Sequence, residues 1–322
     1  MTPDSTDFDA RLAPYRGELV AYCYRMLGSA HDAEDLVQDT YLRAWRARGA
    51  YDDTRASLRT WLYRIATNVC LTALTDRGRR ALPSGLVAPR DPLAPFALDT
   101  EIPWLQPLPD AAGEAADPAV AVVSRSTLRL AFVAALQHLS ARQRGALVLR
   151  DVLAFSAVET AEILGMTVAA VTSSLQRART RMRELDAEPE LVEEPSAAED
   201  HAWVERYMTA FAAADVDGLK QLLTADVVME MPPLLNWFRG PDSYGRFMDW
   251  VFQANGSDWR LVTVAANGQP AFAAYNRVGD DYRLHTLQVL TVTAGGISRN
   301  SVFQDAGIFD TFGLPLTLPL SD

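Results

Sequence analysis

Apolar side chains near the middle of the chain recur at steps of three and four: Val168, Val171, Leu175, Ala178, Met182 and Leu185. That spacing predicts an α-helix with one buried stripe. Ser173, Gln176, Arg177, Thr180 and Arg181 fall on the opposite side. The preceding segment FSAVETAEILGM, Phe155 to Met166, shows the same period over a shorter run, with Gly165 placed to let the chain turn. Residues 8–80 keep helical spacing throughout, broken at Gly28, at Gly49 and in the DDTR stretch at 52–55. Beyond residue 200 the period changes. Trp203, Tyr207 and Phe211 predict one helix and DVDGLKQLL a second; the β-rich segments DVVMEM, WRLVTVAA, AFAAYNRV, DYRLHTLQVLTVT and ISRNSVFQ follow. Asn267-Gly268 and Ala294-Gly295-Gly296 are hairpin turn signals.

Between the helical segments the periodicity disappears. Residues 81–120 hold eight of the 18 prolines. Proline fixes φ and removes a donor, so this stretch reads as an extended linker. Forty extended residues reach on the order of 100 Å, so its length would not limit the separation of its neighbours. The predicted organisation is an all-α domain at 8–80, a Pro-rich linker at 81–124, a second all-α domain at 125–186, an acidic junction at 187–200 and an α+β domain with a curved antiparallel sheet at 201–322. Trp104 and Leu105, in DTEIPWLQPLPD, are unusual in a passive tether and suggest an ordered docking segment.

Composition adds exclusions. At 49% hydrophobic and 22% charged residues the chain is of ordinary globular type. Its apolar runs are far short of the roughly 20 residues that cross a bilayer, and MTPDSTDFDA has no secretory pattern, so a cytoplasmic location without membrane contact is expected. Two cysteines, Cys23 and Cys70, are too few for a metal site and read as buried free thiols. No cofactor is implied.

Charge is distributed unevenly. The formal net charge is −11, and residues 187–322 carry 8 basic against 19 acidic side chains. The segment TVAAVTSSLQRARTRMR, Thr167 to Arg183, carries four arginines and no acid. Two helices with a tight turn, the second basic on its exposed side, form the arrangement of a helix-turn-helix. In DAEDLVQDTYLRAW (32–45), Val37, Tyr41, Ala44 and Trp45 predict the buried face, and Asp35, Gln38 and Asp39 share another. That second face is either solvated or a docking surface for a basic partner. RTWLYRIATNVCLTALTDRGRR (59–80) interleaves Arg59, Trp61, Tyr63, Arg64, Asn68, Arg77, Arg79 and Arg80. Aromatics beside arginines suit unpaired nucleic acid, which needs π-faces and cations. Trp61, Ile65 and Val69 fit a core stripe instead.

Taken together, DAEDLVQDTYLRAW, RTWLYRIATNVC and the VAAVTSSLQRAR helix resemble the sigma-70 family, extracytoplasmic-function group. The resemblance implies that residues 8–80 are sigma region 2 and residues 125–186 sigma region 4. It implies core RNA polymerase as partner, docked on Asp35, Gln38 and Asp39, and promoter DNA as target. Arg55, Arg59, Asn68, Arg77, Arg79 and Arg80 would serve the minus-10 element and its unpaired strand. Thr172, Ser173 and Arg177 would face bases at the minus-35 element, and Arg179, Arg181 and Arg183 phosphates. MEMPPLLNWF, NGQPAF and FGLPLTLPL resemble the appended domain of extended members, similar to SnoaL and nuclear transport factor 2: a curved sheet closing a cone-shaped cavity. Its polar candidates for a small-molecule ligand are Glu230, Tyr244, Tyr282, His285 and Asp305. Fusion to a promoter reader favours a regulatory over a catalytic role, the acidity opposing DNA or masking the basic helices. Two other readings remain: a helix-turn-helix regulator that needs no polymerase, and an enzyme carried on a targeting module.

Overall fold

The computed structural model describes residues 5–75, 78–110, 126–185 and 197–320. Arg77, residues 111–125 and most of the acidic junction lie outside the described residues. The chain divides into two compact units, Met1–Arg80 with Gln106–Glu190, and Ala81–Leu105 with Leu191–Asp322.

The first unit is helical. Its elements are α1 (Ser5–Leu12), α2 (Arg16–Leu27), α3 (Ala30–Ala47), α4 (Leu58–Thr75), α5 (Leu130–Leu136), α6 (Ala141–Leu147) with a π-helical turn at Val148–Val152, α7 (Ala157–Leu164) and α8 (Val168–Glu184). Gly28 ends α2 in the left-handed region, φ 72°, and Ser29 caps α3 by accepting from the Asp32 amide at 3.2 Å. Helix α2 is buried from Leu19 to Leu27. The Cys23 and Cys70 sulfurs lie 3.6 Å apart, buried and free as the sequence implied.

Two buried arginines join α2 to the later helices. Arg25 donates to the Thr127 hydroxyl at 2.9 Å. Arg144, 4% exposed, donates to the carbonyls of Leu136 (2.9 Å), Leu139 (3.3 Å) and Met26 and to Gln137 Oε1 (2.8 Å). Burial lowers both guanidinium pKa values to about 10, which leaves them charged near neutrality. Carbonyl oxygens replace the lost water around Arg144.

The second unit is α+β. It contains α9 (Ala197–Ala212), α10 (Val216–Gln221), β1 (Leu223–Glu230), β2 (Trp237–Arg239), α11 (Pro241–Asn255), β3 (Trp259–Ala266), β4 (Gln269–Val278), β5 (Asp281–Thr293), β6 (Gly296–Phe303), α12 (Ala306–Thr311) and β7 (Thr317–Pro319). The sheet runs β2-β1-β6-β5-β4-β3 with β7 on β5; β1 and β6 are parallel and the other pairs antiparallel. Register shifts at Ala274/Tyr275 and Thr291/Val292 let long strands bend. Asn267 and Gly268, φ 59° and 65°, make the two-residue β3–β4 turn that their sequence predicts. Residues of α9, α10, α11 and the sheet share one core. Helix α11 and the short strands β2 and β7 are additions to the sequence expectation.

The linker expectation needs correction. Residues 81–105 are a strap bound along the C-terminal domain. Arg90 donates its amide to the Trp237 carbonyl (3.0 Å), Leu235 to that of Ala97 (2.8 Å) and Asp99 to that of Pro233 (3.1 Å). The Trp237 indole donates to the Val87 carbonyl at 2.8 Å. The buried Asn236 accepts from the Ala97 amide at 2.7 Å and donates to the Pro95 carbonyl at 3.3 Å. Backbone groups that proline-rich chain leaves without helix or sheet partners are met by a domain more than a hundred residues on. Trp104 and Leu105 belong to this ordered segment: the Trp104 indole donates to the Asp99 carbonyl at 2.8 Å, and the Leu105 amide to that of Ala81 at 3.0 Å.

Candidate functional site

Helix α3 presents the acidic face. Val37 and Ala44 are buried, and Tyr41 and Trp45 half-buried against the core, which leaves one side open. On it Asp35, Gln38 and Leu42 follow at steps of three and four, with Asp39 beside them. Leu42 is 55% exposed, an apolar side chain between acids that polarity alone did not single out. His31 pairs with Asp35 at 3.6 Å and Arg43 with Asp39 at 2.9 Å. Asp32 faces inward and holds Arg80 at 2.6 Å.

Helix α4 carries the second candidate set. Asn68, Arg64, Thr72 and Thr75 form its exposed strip. Arg55 is exposed in the loop before it, where Asp52 accepts from the Thr54 amide (3.0 Å) and hydroxyl (2.7 Å). Trp61 and Tyr63 are buried and offer no free ring; half-exposed rings near α4 include Tyr51 and Trp45. Tyr51 packs on Trp61 at 5.1 Å between centroids, and the Arg48 guanidinium lies 4.3 Å from the Trp45 ring. Arg79 contacts His138 Nδ1 at 3.0 Å.

Arg59 is engaged within the unit. Its guanidinium donates to Glu18 at 3.0 Å and lies 4.3 Å from the Phe155 ring and 5.2 Å from Tyr63. The Leu153 carbonyl is 3.4 Å away. Beside it Thr60 donates to Glu159 at 3.3 Å and Arg64 pairs with Glu162 at 3.4 Å. The N-terminal half of α4 is thus covered by the loop and helix that open the helix-turn-helix.

That motif is built as its sequence predicts. Ser156 and Glu159 form a reciprocal cap on α7, Gly165 ends it at φ 61°, and Thr167 caps α8 by accepting from the Ala170 amide at 3.2 Å. Val171, Ser174, Leu175, Ala178 and Met182 are buried. Val168 is 43% exposed, outside the stripe predicted for it, because it lies in the first turn. The open face carries Thr172, Gln176, Arg177, Arg179, Thr180, Arg181 and Arg183. Ser173 is half-buried and accepts from Arg177 at 2.7 Å. Arg179 grips Asp151 through two hydrogen bonds, 2.7 and 2.9 Å, and Arg181 pairs with Glu184 at 2.9 Å. Ala169, in the first turn, and Gln176, at mid-helix, are exposed and were not among the sequence candidates.

The five polar candidates of the C-terminal domain do not converge. Glu230, wholly buried, accepts from Arg299 (2.6 Å), Ser301 (3.1 Å) and the strap residue Ser84 (2.6 Å). Tyr244 shares a buried network with Tyr207 and Asn300; burial pushes its pKa up to about 12. Tyr282 donates to Asp258 at 2.7 Å, and Asp305 caps α12 by accepting from the Ile308 amide at 3.1 Å. Of the five, only His285 lines a cavity of about 280 Å³ in this domain.

A helix-turn-helix with a basic open side and a helical domain with an open acidic strip stand in one chain, and the comparisons give them a family. Residues 12–80 match sigma-70 region 2, residues 129–182 sigma-70 region 4 and residues 204–300 the SnoaL-like domain. The chain is 46% identical over 97% of its length, and 85% of the other, to the ECF RNA polymerase sigma factor SigG of Mycobacterium tuberculosis. It is 32% identical to SigJ of the same organism over 75% of this chain and 72% of that one. The crystal structure of SigJ superposes with a TM-score of 0.63 at 26% identity, over 97% of this chain and 100% of that chain. This chain belongs to the extracytoplasmic-function RNA polymerase sigma factors, in a form with a C-terminal SnoaL-like domain.

Proposed function

We infer that this chain binds core RNA polymerase and directs promoter-specific initiation, with α3 as docking face, the 55–80 segment serving the minus-10 element and α8 the minus-35 element. The observation that carries the reading is the α3 strip of Asp35, Gln38, Leu42 and Asp39. An exposed leucine ringed by polar groups suits a protein interface, in which an apolar anchor sits inside a polar rim. A regulator acting on DNA alone leaves that strip without use. The work site would be the cytoplasm, where polymerase acts. Run-off transcription with purified core polymerase tests this. Promoter-specific transcripts appear only with the chain added, and Leu42→Ala with Asp35→Ala lowers affinity for core polymerase at least tenfold. Tight binding to duplex operator without polymerase, or no transcript with it, defeats the reading.

The C-terminal domain acts as a regulator rather than a catalyst. Its cavity holds one imidazole and no carboxylate, which leaves general acid–base chemistry without a charged partner. Its acids Glu230 and Asp305 are committed to the fold. The strap is the means of control: it is the chain between the two promoter-reading regions, so holding or releasing it changes how far apart they can act. Ser84→Ala with Asn236→Ala, which cut four strap hydrogen bonds, then change promoter output without changing which promoter is read. Unchanged output removes this role.

A further inference from the structure

The cavity of the C-terminal domain has a chemistry of its own. Its walls are aromatic and thioether-rich, with Phe247, Trp250, Met229 and Met231 among them, and no charged side chain lines it. The His285 ring, half-buried in β5, packs edge-on to Trp259 at 5.3 Å. Neither ring nitrogen has a hydrogen-bond partner among the described residues. Burial lowers its pKa, which keeps it neutral near pH 7. A neutral imidazole offers one donor and one acceptor and no charge, and the other polar side chains in the lining, Asn255, Thr286, Gln288 and Gln304, are neutral too. An anion would enter without a countercharge, and so would a metal or a polyamine.

One wall is foreign to the domain's sheet and helices. Phe96 belongs to the strap, stands edge-on to Trp250 at 5.3 Å and to Phe247 at 6.4 Å, and is 46% exposed. The next residue, Ala97, makes two of the strap's hydrogen bonds. A molecule in the cavity therefore touches the strap directly.

We propose that this cavity is a receptor site for a neutral, largely aromatic small molecule with one hydrogen-bonding group, and that Phe96 transmits its occupancy to the strap. A cavity of about 150 Å³ accommodates benzene, so 280 Å³ takes roughly ten to fourteen non-hydrogen atoms. Phenols and ketones on a bicyclic aromatic frame fit that description. The proposal rests on the regulatory role given to the strap and names what drives it.

The test uses the full chain and 2-naphthol, with naphthalene-2-carboxylate as the charged counterpart. Titration calorimetry gives one 2-naphthol per chain with a Kd of about 10–100 µM, the range open to a ligand of this size. The carboxylate binds at least tenfold more weakly. His285→Leu weakens 2-naphthol about three- to tenfold, the loss of one net hydrogen bond. Gln304→Trp, which plugs the cavity from an exposed position, abolishes saturable binding. Amide exchange reads the relay. Saturating 2-naphthol slows the Ala97 and Asp99 amides at least threefold, and Phe96→Ala removes the slowing while keeping affinity within fivefold. Absence of saturable binding, equal binding of the carboxylate, or full binding by Gln304→Trp overturns the site; unchanged exchange in the wild-type chain overturns the relay. Neither readout contains polymerase. A chain that initiates transcription but ignores 2-naphthol sinks only this proposal, and one that binds it but never initiates sinks only the promoter reading.

Discussion

Arg59 offers a measurable latch within the helical unit. Replacing it by methionine keeps the stem and removes the cation. Four contacts go with it, of which that with the Tyr63 ring at 5.2 Å is the more distant of two cation–π approaches. The cation–π contact with Phe155 at 4.3 Å is worth about 1 kcal/mol in a half-buried setting. The ion pair with Glu18, between side chains 29% and 21% exposed, adds about 0.5 kcal/mol after solvent screening. The approach to the Leu153 carbonyl, at 3.4 and 3.5 Å, is too long to count. About 1.5 kcal/mol corresponds to roughly a tenfold rise in the open population. The Phe155 amide, which donates to the Leu149 carbonyl at 2.9 Å, reports that opening by hydrogen exchange. Exchange should rise about tenfold in Arg59→Met. It should rise a hundredfold or more in Phe155→Ala, where a ring 3% exposed is deleted at a cost of about 3–5 kcal/mol. With Phe155 already alanine, Arg59→Met should add only about two- to fourfold, since the ion pair and the more distant Tyr63 ring, 5.2 Å away, remain to be lost. A tenfold effect in both backgrounds refutes the cation–π contact, and no effect in either refutes the latch.

Three further outcomes follow from the geometry. Glu230→Ala leaves Arg299 without its acid and should destabilise the C-terminal domain by about 2–4 kcal/mol in urea melts, while freeing residues 86–98 to protease; an unchanged midpoint counts against a structural carboxylate. His285 has a folded-state pKa below its unfolded one, so the unfolded chain binds more protons just under pH 6.5. Stability of the C-terminal domain should therefore fall as pH drops through 6.5 and level off below the folded-state value; His285→Leu should remove that part of the slope. The Cys70 sulfur and burial raise the Cys23 thiol well above its ordinary pKa, so native chain should react with Ellman's reagent only in denaturant, releasing two equivalents. Fast reaction without denaturant would refute the burial.

Helices α3, α4, α7 and α8 were legible because a 3.6-residue period and a Ser or Thr cap agree at each, with a Gly stop besides at α7. The β3–β4 hairpin was legible from two residues, Asn267 and Gly268. Helix α11 was present in the sequence, with Pro241 at its first position and Tyr244, Phe247, Met248, Val251 and Phe252 at helical spacing, but β-rich segments flank it on both sides and mask its period. The strap was not legible, since its partners Trp237 and Asn236 lie about 140–150 residues away. The same distance hid the fate of Glu230, which looked like a site acid until Ser84 and Arg299 closed around it. A search for polar groups also looks past a cavity whose walls are mainly Phe, Met, Trp and Val. Arg59 was assigned to DNA by the company it keeps along the chain; its contacts with Glu18 and Phe155 exist only in three dimensions.

The strap also sets an order of events during synthesis. Residues 81–105 emerge before the strands that receive them, and β6 is complete only at Phe303, about 200 residues later. At 5–20 residues per second that is a delay of roughly 10–40 s. During it the helical unit can close around α2 while the strap, with its prolines and its exposed Phe96, waits without a surface. The nascent chain thus has its helical unit before it has the surface that binds residues 81–105.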